Sequence, residues 1–280
     1  MSDWYSDSEA IASIPVDDRA AQYGDGLFET IAIRSGAARL WSYHAERLQL
    51  GCQRLGIASP DMGALKSALD NAIAAADIDS RHALAKIIVT PGSGSRGYRR
   101  PSGQLSIRIG LFAADPQAAV AYQRGVRVRL CATRLAIQPQ LAGIKSLNRL
   151  EQVLARAEWN QPEIFEGLTL DSDGRLICGT MSNVFAHIQG QLVTPALTRC
   201  GVSGVMRRHV LTLLDQNGIA VEARDIATKE LRDIEEMFLT NSQFGVLPVA
   251  ELDTAELPLG KLTRHVMALA ANSGIGECAT

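Results

Sequence analysis

Hydrophobic positions recur along the chain with two different periods, and each period predicts a different element. Runs that are apolar, or that alternate apolar with polar residues, predict strands, whereas spacings of three and four residues predict helices. Strands are predicted over residues 27–34, 83–90, 104–112 and 125–131, and hairpins over 167–178 and 183–195. Helices are predicted over residues 43–55, 62–76, 147–159, 205–216 and 261–271. This mixture predicts an α/β (α+β) fold class.

A break in the periodic pattern divides the chain into two parts. Residues 113–120 contain Pro116 among small residues, and new strand signals follow them. Such a segment is typical of a domain boundary, where few contacts cross. We therefore predict an N-terminal α/β domain over residues 1–113, a linker over 114–121 and a C-terminal α/β domain over 122–280.

The composition narrows the classes of function. The chain has 280 residues, 46% of them hydrophobic, and a net charge of -2, which gives no electrostatic case for nucleic acid or an anionic membrane. No apolar run is long enough to span a bilayer, and the acidic, polar N-terminus is unlike a signal peptide. The five cysteines form no CxxC pair and the five histidines lack metal-ligand spacing. We therefore expect free thiols in the cytoplasm and no metal site.

Lys145 lies just before a predicted amphipathic helix in which Leu150, Val153 and Leu154 share one face. Asn148 is the predicted N-cap, with Glu151 at the position of a capping glutamate. The positive end of a helix disfavours a nearby ammonium group, and a partly neutral lysine can act as a nucleophile and then as a base. On spacing alone, an ordinary lysine that reaches water is the favoured interpretation.

The segment Leu141-Ala-Gly-Ile-Lys145-x-Leu-Asn148-Arg-Leu-Glu151-Gln-Val-Leu resembles the lysine segment of the aminodeoxychorismate lyases. These are fold-type IV pyridoxal-phosphate enzymes, related to the branched-chain and D-amino-acid aminotransferases. The resemblance implies a two-domain architecture, a homodimer, pyridoxal 5'-phosphate as cofactor, and its attachment to Lys145. No nucleic acid or membrane partner is implied.

Further segments resemble the cofactor-binding segments of this family. His44-x-x-Arg47-Leu48 matches the element whose arginine holds the cofactor phosphate, a task that suits a permanently charged guanidinium. Gly204 and the amides of Val205 and Met206 open a helix, where an anion binds readily, and they match the family's phosphate cup. Ser242 stands where the family adds a hydroxyl to the phosphate, and Asn183 belongs to a matching cofactor-binding strand.

Two glycine-containing segments are candidates for binding the substrate. Tyr23-Gly-Asp-Gly-x-Phe28-Glu-Thr30 resembles the segment that lines the substrate side of the family pocket, with Tyr23, Phe28 and Thr30 as candidates. Residues 92–97 match G-x-G-x-x-G, but a strand rather than a helix follows, which argues against a dinucleotide site. We interpret this loop as a mobile basic lid in which Arg96 and Tyr98 contact the substrate, whereas Arg99 and Arg100 are solvated.

The chain departs from its relatives at one cofactor contact. Gly174, Asn183 and Phe185 set the register, so Cys178 stands where relatives have the glutamate that pairs with the pyridine nitrogen. A thiol is a weaker partner than a carboxylate, so we predict a weaker electron sink. Ser146 also replaces the histidine that follows the lysine in close lyase relatives.

These expectations favour a lyase that converts 4-amino-4-deoxychorismate to 4-aminobenzoate and pyruvate for folate biosynthesis. Its elimination creates an aromatic ring and tolerates a weak electron sink, which a transaminase tolerates badly. Lys145 is then the general base, and Thr30 or the lysine protonates the leaving group. The alternatives are a D-amino-acid or branched-chain aminotransferase, and a weakly active or non-catalytic relative because of Cys178.

Overall fold

The computed structural model of the chain describes residues 3–6, 9–11, 13–94, 96–100 and 105–279, with the side chains of Asp3, Glu9 and Ala10 excepted. It contains two compact units. Unit 1 consists of Met1–Pro116 and Ile144–Asn148, and unit 2 consists of Gln117–Gly143 and Arg149–Thr280. Both units combine helices with a sheet, which confirms the predicted mixed α/β class. The domain boundaries given above remain a prediction, but Lys145 groups here with unit 1 and not with the later part of the chain.

Unit 1 is built on a six-stranded antiparallel sheet with the order β2-β1-β6-β5-β3-β4. Its strands are β1 Asp3–Ser6, β2 Glu9–Ala10, β3 Leu27–Arg34, β4 Ala37–Ala38, β5 His82–Thr90 and β6 Ser106–Ala113, and its helices are α1 Arg19–Tyr23, α2 Trp41–Leu55 and α3 Met62–Ala75. Leu27, Ile31 and Ile33 of β3 are buried, as are Leu48 and Cys52 of α2. Helix α2 ends at Gly56, which takes the left-handed conformation that a glycine C-cap allows. Gln104, the first residue of one predicted strand, lies outside the described residues.

The segment Ile144–Asn148 joins unit 1 because its backbone pairs with β3. The amide of Phe28 donates to the carbonyl of Lys145 at 2.9 Å, and the amide of Leu147 donates to the carbonyl of Gly26 at 3.0 Å. This pairing holds the lysine peptide extended beside the start of β3. No pattern in the sequence predicts a contact between the lysine segment and β3, which are far apart in the chain.

The predicted start of the following helix, at Leu147, is wrong because the residues before the helix pair with β3. Helix α5 spans Leu150–Arg156, with Arg149 at the N-cap and no side-chain cap. The side-chain Nδ2 of Asn148 instead donates to the carbonyl of Gly24 at 3.0 Å, and the Glu151 carboxylate accepts from the backbone amide of Ala136 at 2.7 Å. Extended pairing up to Leu147 leaves no room for a helical turn there. The apolar side chains of Leu150, Val153 and Leu154 are 76%, 60% and 61% exposed.

Unit 2 is built on a nine-stranded mixed sheet with the order β12-β11-β10-β13-β14-β7-β8-β9, in which β15 pairs with β14. Its elements are α4 Ala119–Arg124, β7 Val126–Leu135, α5 Leu150–Arg156, β8 Ile164–Asp171, β9 Leu176–Gly179, β10 Asn183–Ile188, β11 Gln191–Pro195, α6 Val205–Gln216, β12 Val221–Arg224, β13 Ile234–Asn241, β14 Gly245–Leu252, β15 Ala255–Glu256 and α7 Lys261–Asn272, with 3-10 helices at Thr228–Asp233 and Gly276–Cys278. Phe185 of β10 stacks on Phe238 of β13 with ring centroids 4.9 Å apart. Both predicted hairpins are present.

The five cysteines all lie in the described part of the chain, where they are buried free thiols. Among the described residues, no helix is both long and apolar enough to cross a membrane.

Candidate active site

Lys145 and Phe28 are cross-strand neighbours in unit 1. The Lys145 Nζ lies 4.3 Å from the centroid of the Phe28 ring, and the side chain is half-buried. An ammonium group over an aromatic face is stabilised by the negative charge of that face. Phe28 and Thr30 alternate along β3 and therefore share one face of the sheet. The structure thus brings together Lys145, Phe28 and Thr30, which the sequence singled out separately.

The sequence reasoning missed a second lysine on this face. Lys86 lies opposite Thr30 in the β3–β5 register, and its Nζ is 5.1 Å from the Phe28 ring centroid. The Phe28 ring therefore lies within reach of two ammonium groups. A lysine in an otherwise apolar strand was the available signal, but only the register shows that it shares a face with Lys145.

Arg47 is held by Glu29, a residue that the sequence reasoning also missed. The Arg47 Nε donates to Glu29 Oε1 at 2.8 Å, and a second Arg47 nitrogen contacts Glu29 Oε2. His44 Nδ1 lies 2.6 Å from Glu29 Oε2. Glu29 is 2% exposed, and it lies between Phe28 and Thr30, so its side chain is on the opposite face of β3.

The charges of this buried group follow from its contacts. Burial opposes ionisation of Glu29, but Arg47 and His44 outweigh it and lower the Glu29 pKa to about 2. Burial lowers the pKa of His44, and Arg47 and Lys145 lower it further, against the opposing effect of Glu29. A neutral His44 donates its Nδ1 proton to Glu29. Its Nε2 is then a buried acceptor without a partner among the described residues.

The glycine loop, residues 92–97, is hydrogen-bonded to the segment that precedes β3. This finding corrects our interpretation of the loop as a mobile lid. Arg19, 3% exposed, donates to Asp25 at 2.7 Å and to the carbonyl of Gly97 at 3.0 Å. The Tyr23 hydroxyl accepts from the amide of Gly97 at 2.9 Å. The side chain of Arg100, which we expected in solvent, pairs with Asp25 at 2.9 Å. Two guanidinium groups on one carboxylate hold the loop in place.

Two predicted substrate residues extend from this fastened loop. Tyr98 is 89% exposed and meets Tyr23 edge-on with ring centroids 5.7 Å apart. Arg96 is exposed as well, and Ser95, within the glycine motif, lies outside the described residues.

Burial raises the pKa of Asp25, but the hydrogen bonds from Arg100 and Arg19 outweigh this effect, so the pKa of Asp25 is lowered. Asp25 therefore remains a carboxylate that can hold both arginines.

In unit 2, Asn183 positions the start of helix α6. The Gly204 amide donates to Asn183 Oδ1 at 3.0 Å, and Asn183 Nδ2 donates to the carbonyl of Val202 at 2.9 Å. A side chain at position 204 would put its Cβ 2.0 Å from Asn183 Oδ1, so only glycine fits there. Helix α6 has no side-chain cap, and its first residues, Val205 and Met206, are buried. The amides of this first turn are free of a capping side chain and suit an anion.

A buried arginine strengthens the case for an anion at this point. Arg207, 8% exposed, lies in the first turn of α6, and its guanidinium donates to the Thr194 hydroxyl and to the carbonyl of Pro195, each at 3.1 Å. Both partners are neutral, and burial lowers the Arg207 pKa to about 10. A cation at the positive end of a helix is unfavourable unless an anion compensates. The donors at this helix start therefore fit a phosphate group.

Ser242 follows strand β13 at the same end of the sheet. The β10–β13 register places Thr240 opposite Asn183, and Asn241 donates to the carbonyl of Met181. The hydroxyl of Thr240 is buried without a partner among the described residues. The start of α6 and the Asn241–Ser242 segment are thus both connected to the beginning of β10.

Cys178 lies on β9 in an apolar cluster with Leu135, Ile177 and Cys200, and it is 6% exposed. Its Sγ is 3.7 Å from the hydroxyl of Thr169, which donates to the Cys178 carbonyl at 2.9 Å. The side chain at this position is thus a buried sulfur that packs among apolar residues and beside the hydroxyl of Thr169.

Comparison with known proteins places these features in a family. Residues 26–252 match the family model described as amino-transferase class IV. An aminodeoxychorismate lyase of Vibrio harveyi is 39% identical over 259 residues, which cover 90% of this chain and 94% of that protein. The crystal structure of 4-amino-4-deoxychorismate lyase from Pseudomonas aeruginosa is 43% identical, with a TM-score of 0.89, and covers 97% of this chain and 99% of that one.

More distant relatives are aminotransferases. A D-alanine aminotransferase of Bacillus licheniformis is 28% identical over 272 residues, which cover 95% of this chain and 94% of that protein. The enzymes of this family depend on pyridoxal phosphate, which confirms the predicted cofactor. The chain belongs to the class IV aminotransferase family of fold-type IV pyridoxal-phosphate enzymes.

Proposed function

We propose that this protein is a 4-amino-4-deoxychorismate lyase, which releases pyruvate and 4-aminobenzoate in folate biosynthesis. The observation that carries the proposal is the 39% and 43% identity to two lyases over nearly the whole chain, against 28% for the D-alanine aminotransferase. The thiol of Cys178 supports the same choice. A thiol is a weaker partner for the pyridine nitrogen than a carboxylate, and elimination to an aromatic product tolerates a weaker partner better than transamination does.

Each predicted site residue has a task in this proposal. When pyridoxal phosphate is bound, it withdraws electrons from the substrate carbon that bears nitrogen. Lys145 would hold the cofactor and act as the general base, and Thr30 or Lys145 would supply the proton to the leaving group. Arg47, Gly204, Val205, Met206 and Ser242, with Asn183 in support, would hold the phosphate, and Cys178 would stand in for the carboxylate that partners the pyridine nitrogen in relatives. The substrate is contacted by Tyr23, Phe28, Arg96 and Tyr98.

Product analysis tests the proposal. Purified protein with pyridoxal phosphate is incubated with 4-amino-4-deoxychorismate and, separately, with D-alanine or leucine and a keto acid. We expect 4-aminobenzoate and pyruvate in equal amounts, and no product from the Lys145→Ala variant. Amino transfer without 4-aminobenzoate would identify an aminotransferase. Cofactor binding without either product would identify a non-catalytic relative.

We also propose that the protein is a cytoplasmic homodimer. The exposed face of α5, formed by Leu150, Val153 and Leu154, supports this proposal because three adjacent large apolar side chains are unusual on a surface that meets only water. The buried free cysteines suit a reducing compartment. Light scattering after size exclusion should give twice the chain mass, and Leu154→Glu should reduce it to one chain. A monomer in the unaltered protein would contradict the proposal.

A further inference from the structure

Glu166 of unit 2 organises a turn between β9 and β10. Its Oε1 accepts from the amide and the hydroxyl of Thr180, at 3.0 and 2.6 Å. Its Oε2 accepts from the amide of Met181 at 3.0 Å and from the hydroxyl of Ser182 at 2.8 Å. Glu166 is completely buried, and among the described residues its partners are these polar groups and the Gly167 amide rather than a basic side chain. A buried carboxylate with this many donors is strongly held in one position.

The close packing around Glu166 leaves the turn little freedom. A Cβ built on Gly179 would lie 2.3 Å from the Ser182 hydroxyl and 2.5 Å from Glu166 Oε2. Gly179 therefore has to be glycine for the carboxylate to reach the turn. The amide of Gly179 also donates to the carbonyl of Ser182 at 2.9 Å, which closes the turn on itself.

The turn is connected to both segments to which we assigned the phosphate in unit 2. Asn183, the next residue, accepts from the Gly204 amide at 3.0 Å and so fixes the start of α6. The Met181 carbonyl accepts from Asn241, the residue before Ser242. Each of these bonds depends on where the turn places Met181 and Asn183. The carboxylate of Glu166 thus acts on both segments through one short piece of backbone.

We propose that Glu166 is a positioning residue for the cofactor phosphate: by holding the turn 180–182, it places the α6 amides and the Ser242 hydroxyl on one anion. The inference rests on the proposed assignment of the phosphate to Val205, Met206 and Ser242. It does not depend on which reaction the protein catalyses. Glu166 itself contacts neither phosphate nor substrate in this account.

The test compares the affinity of the apoprotein for pyridoxal phosphate and for pyridoxal, which lacks the phosphate. Glu166→Gln presents an amide group to donors that need an acceptor, so the turn shifts. We expect the dissociation constant for pyridoxal phosphate to rise roughly ten- to a hundredfold, the range for a lost charged hydrogen bond. The constant for pyridoxal should change less than about threefold, within roughly 0.7 kcal/mol. The 31P resonance of the bound cofactor should shift as well.

Glu236→Gln is the matched control. Glu236 accepts from the amide and the hydroxyl of Thr263, at 2.9 and 2.8 Å, in the same way as Glu166 accepts from Thr180, but it caps helix α7. We expect it to lower the unfolding temperature and to leave both dissociation constants unchanged. If Glu166→Gln does not fold, Ser182→Ala removes one donor of the turn and should show the same phosphate-specific loss to a smaller extent.

The inference would be overturned by an equal loss of affinity for both ligands, by no loss for either, or by the same loss in Glu236→Gln. Equal affinity of the unaltered protein for pyridoxal and for pyridoxal phosphate would also overturn it, because the protein would then have no phosphate-binding site. Failure of the lyase proposal is recognised separately, by tight binding of pyridoxal phosphate without formation of 4-aminobenzoate.

Discussion

Arg47 and Glu29 form a buried ion pair in unit 1, with the guanidinium Nε 2.8 Å from the carboxylate Oε1. The side chains are 9% and 2% exposed, so neither charge is compensated by water. The sequence analysis predicted that Arg47 binds the cofactor phosphate. The structure adds that Glu29 fixes the orientation of the guanidinium and reduces its net charge.

Replacing Glu29 should therefore destabilise the apoprotein strongly. Glu29→Gln leaves the buried Arg47 without its counter-charge, and removal of one partner of a buried pair costs about 3–5 kcal/mol. Urea denaturation of the apoprotein measures the loss. Glu46→Gln, an exposed glutamate of the same helix as Arg47, should change stability by less than about 0.5 kcal/mol. A loss below about 1 kcal/mol for Glu29→Gln would show that the pair is not structurally important.

The pH dependence of stability should contain a contribution from His44. Because the folded-state pKa of His44 is lowered from 6.5, the unfolded chain binds the proton first, and stability falls as the pH drops below about 6.5. Glu29, whose folded pKa is lowered from 4.5 to about 2, adds stability that is fully present above pH 4.5 and is lost as the pH falls towards 2.

Denaturation midpoints between pH 7.5 and 5 separate the two groups, because Glu29 stays ionised in this range. His44→Gln should show a shallower decline than the unaltered protein, since the other histidines remain in both. An identical slope in the two proteins would mean that His44 titrates normally when buried.

Much of this molecule was predictable from local pattern. Helix α2 was expected over 43–55 and spans Trp41–Leu55, and the predicted helix 62–76 spans Met62–Ala75, because each carries its own periodicity and stop signal. The extended lysine peptide was not predictable, because its pairing with β3 competes with a good helical pattern. Glu29 and Glu166 were missed because a single glutamate in an apolar strand signals nothing until its partners, distant in sequence, are known.

The hydrogen bonds from Arg19 to Asp25 and to the glycine loop should affect substrate affinity more than turnover. Arg19→Met removes the bonds to Asp25 and to the Gly97 carbonyl, so the segment bearing Arg96 and Tyr98 loosens. We expect KM for the lyase substrate to rise roughly tenfold, equivalent to about 1.4 kcal/mol of binding, with a smaller change in kcat. Cleavage by trypsin within residues 96–100 should become faster.

Arg81→Gln controls for the loss of an arginine that is paired with a carboxylate. Arg81 binds Asp79 on the surface, with side chains 83% and 54% exposed, and such pairs contribute little. Its KM and trypsin sensitivity should match those of the unaltered protein. If Arg19→Met also behaves like the unaltered protein, the loop is held by other contacts.

Cys178→Glu should favour amino transfer over elimination. A carboxylate at this position would pair with a protonated pyridine nitrogen and strengthen the electron sink. We expect the rate of D-alanine transamination to rise roughly tenfold or more, a barrier change of about 1.4 kcal/mol. Cys200→Ala, in the same apolar cluster, should leave the rate unchanged. No gain in Cys178→Glu would show that the contact at the ring nitrogen does not limit the reaction.

The most direct test of the account is to identify the lysine that carries the cofactor. The protein is loaded with pyridoxal phosphate, reduced with borohydride, digested and analysed by mass spectrometry. Lys145 and Lys86 both lie near the Phe28 ring, at 4.3 and 5.1 Å from its centroid, so the experiment discriminates between two neighbouring amines. The account predicts a phosphopyridoxyl label on Lys145 and none on Lys86. A label on Lys86, or no label at all, would contradict it.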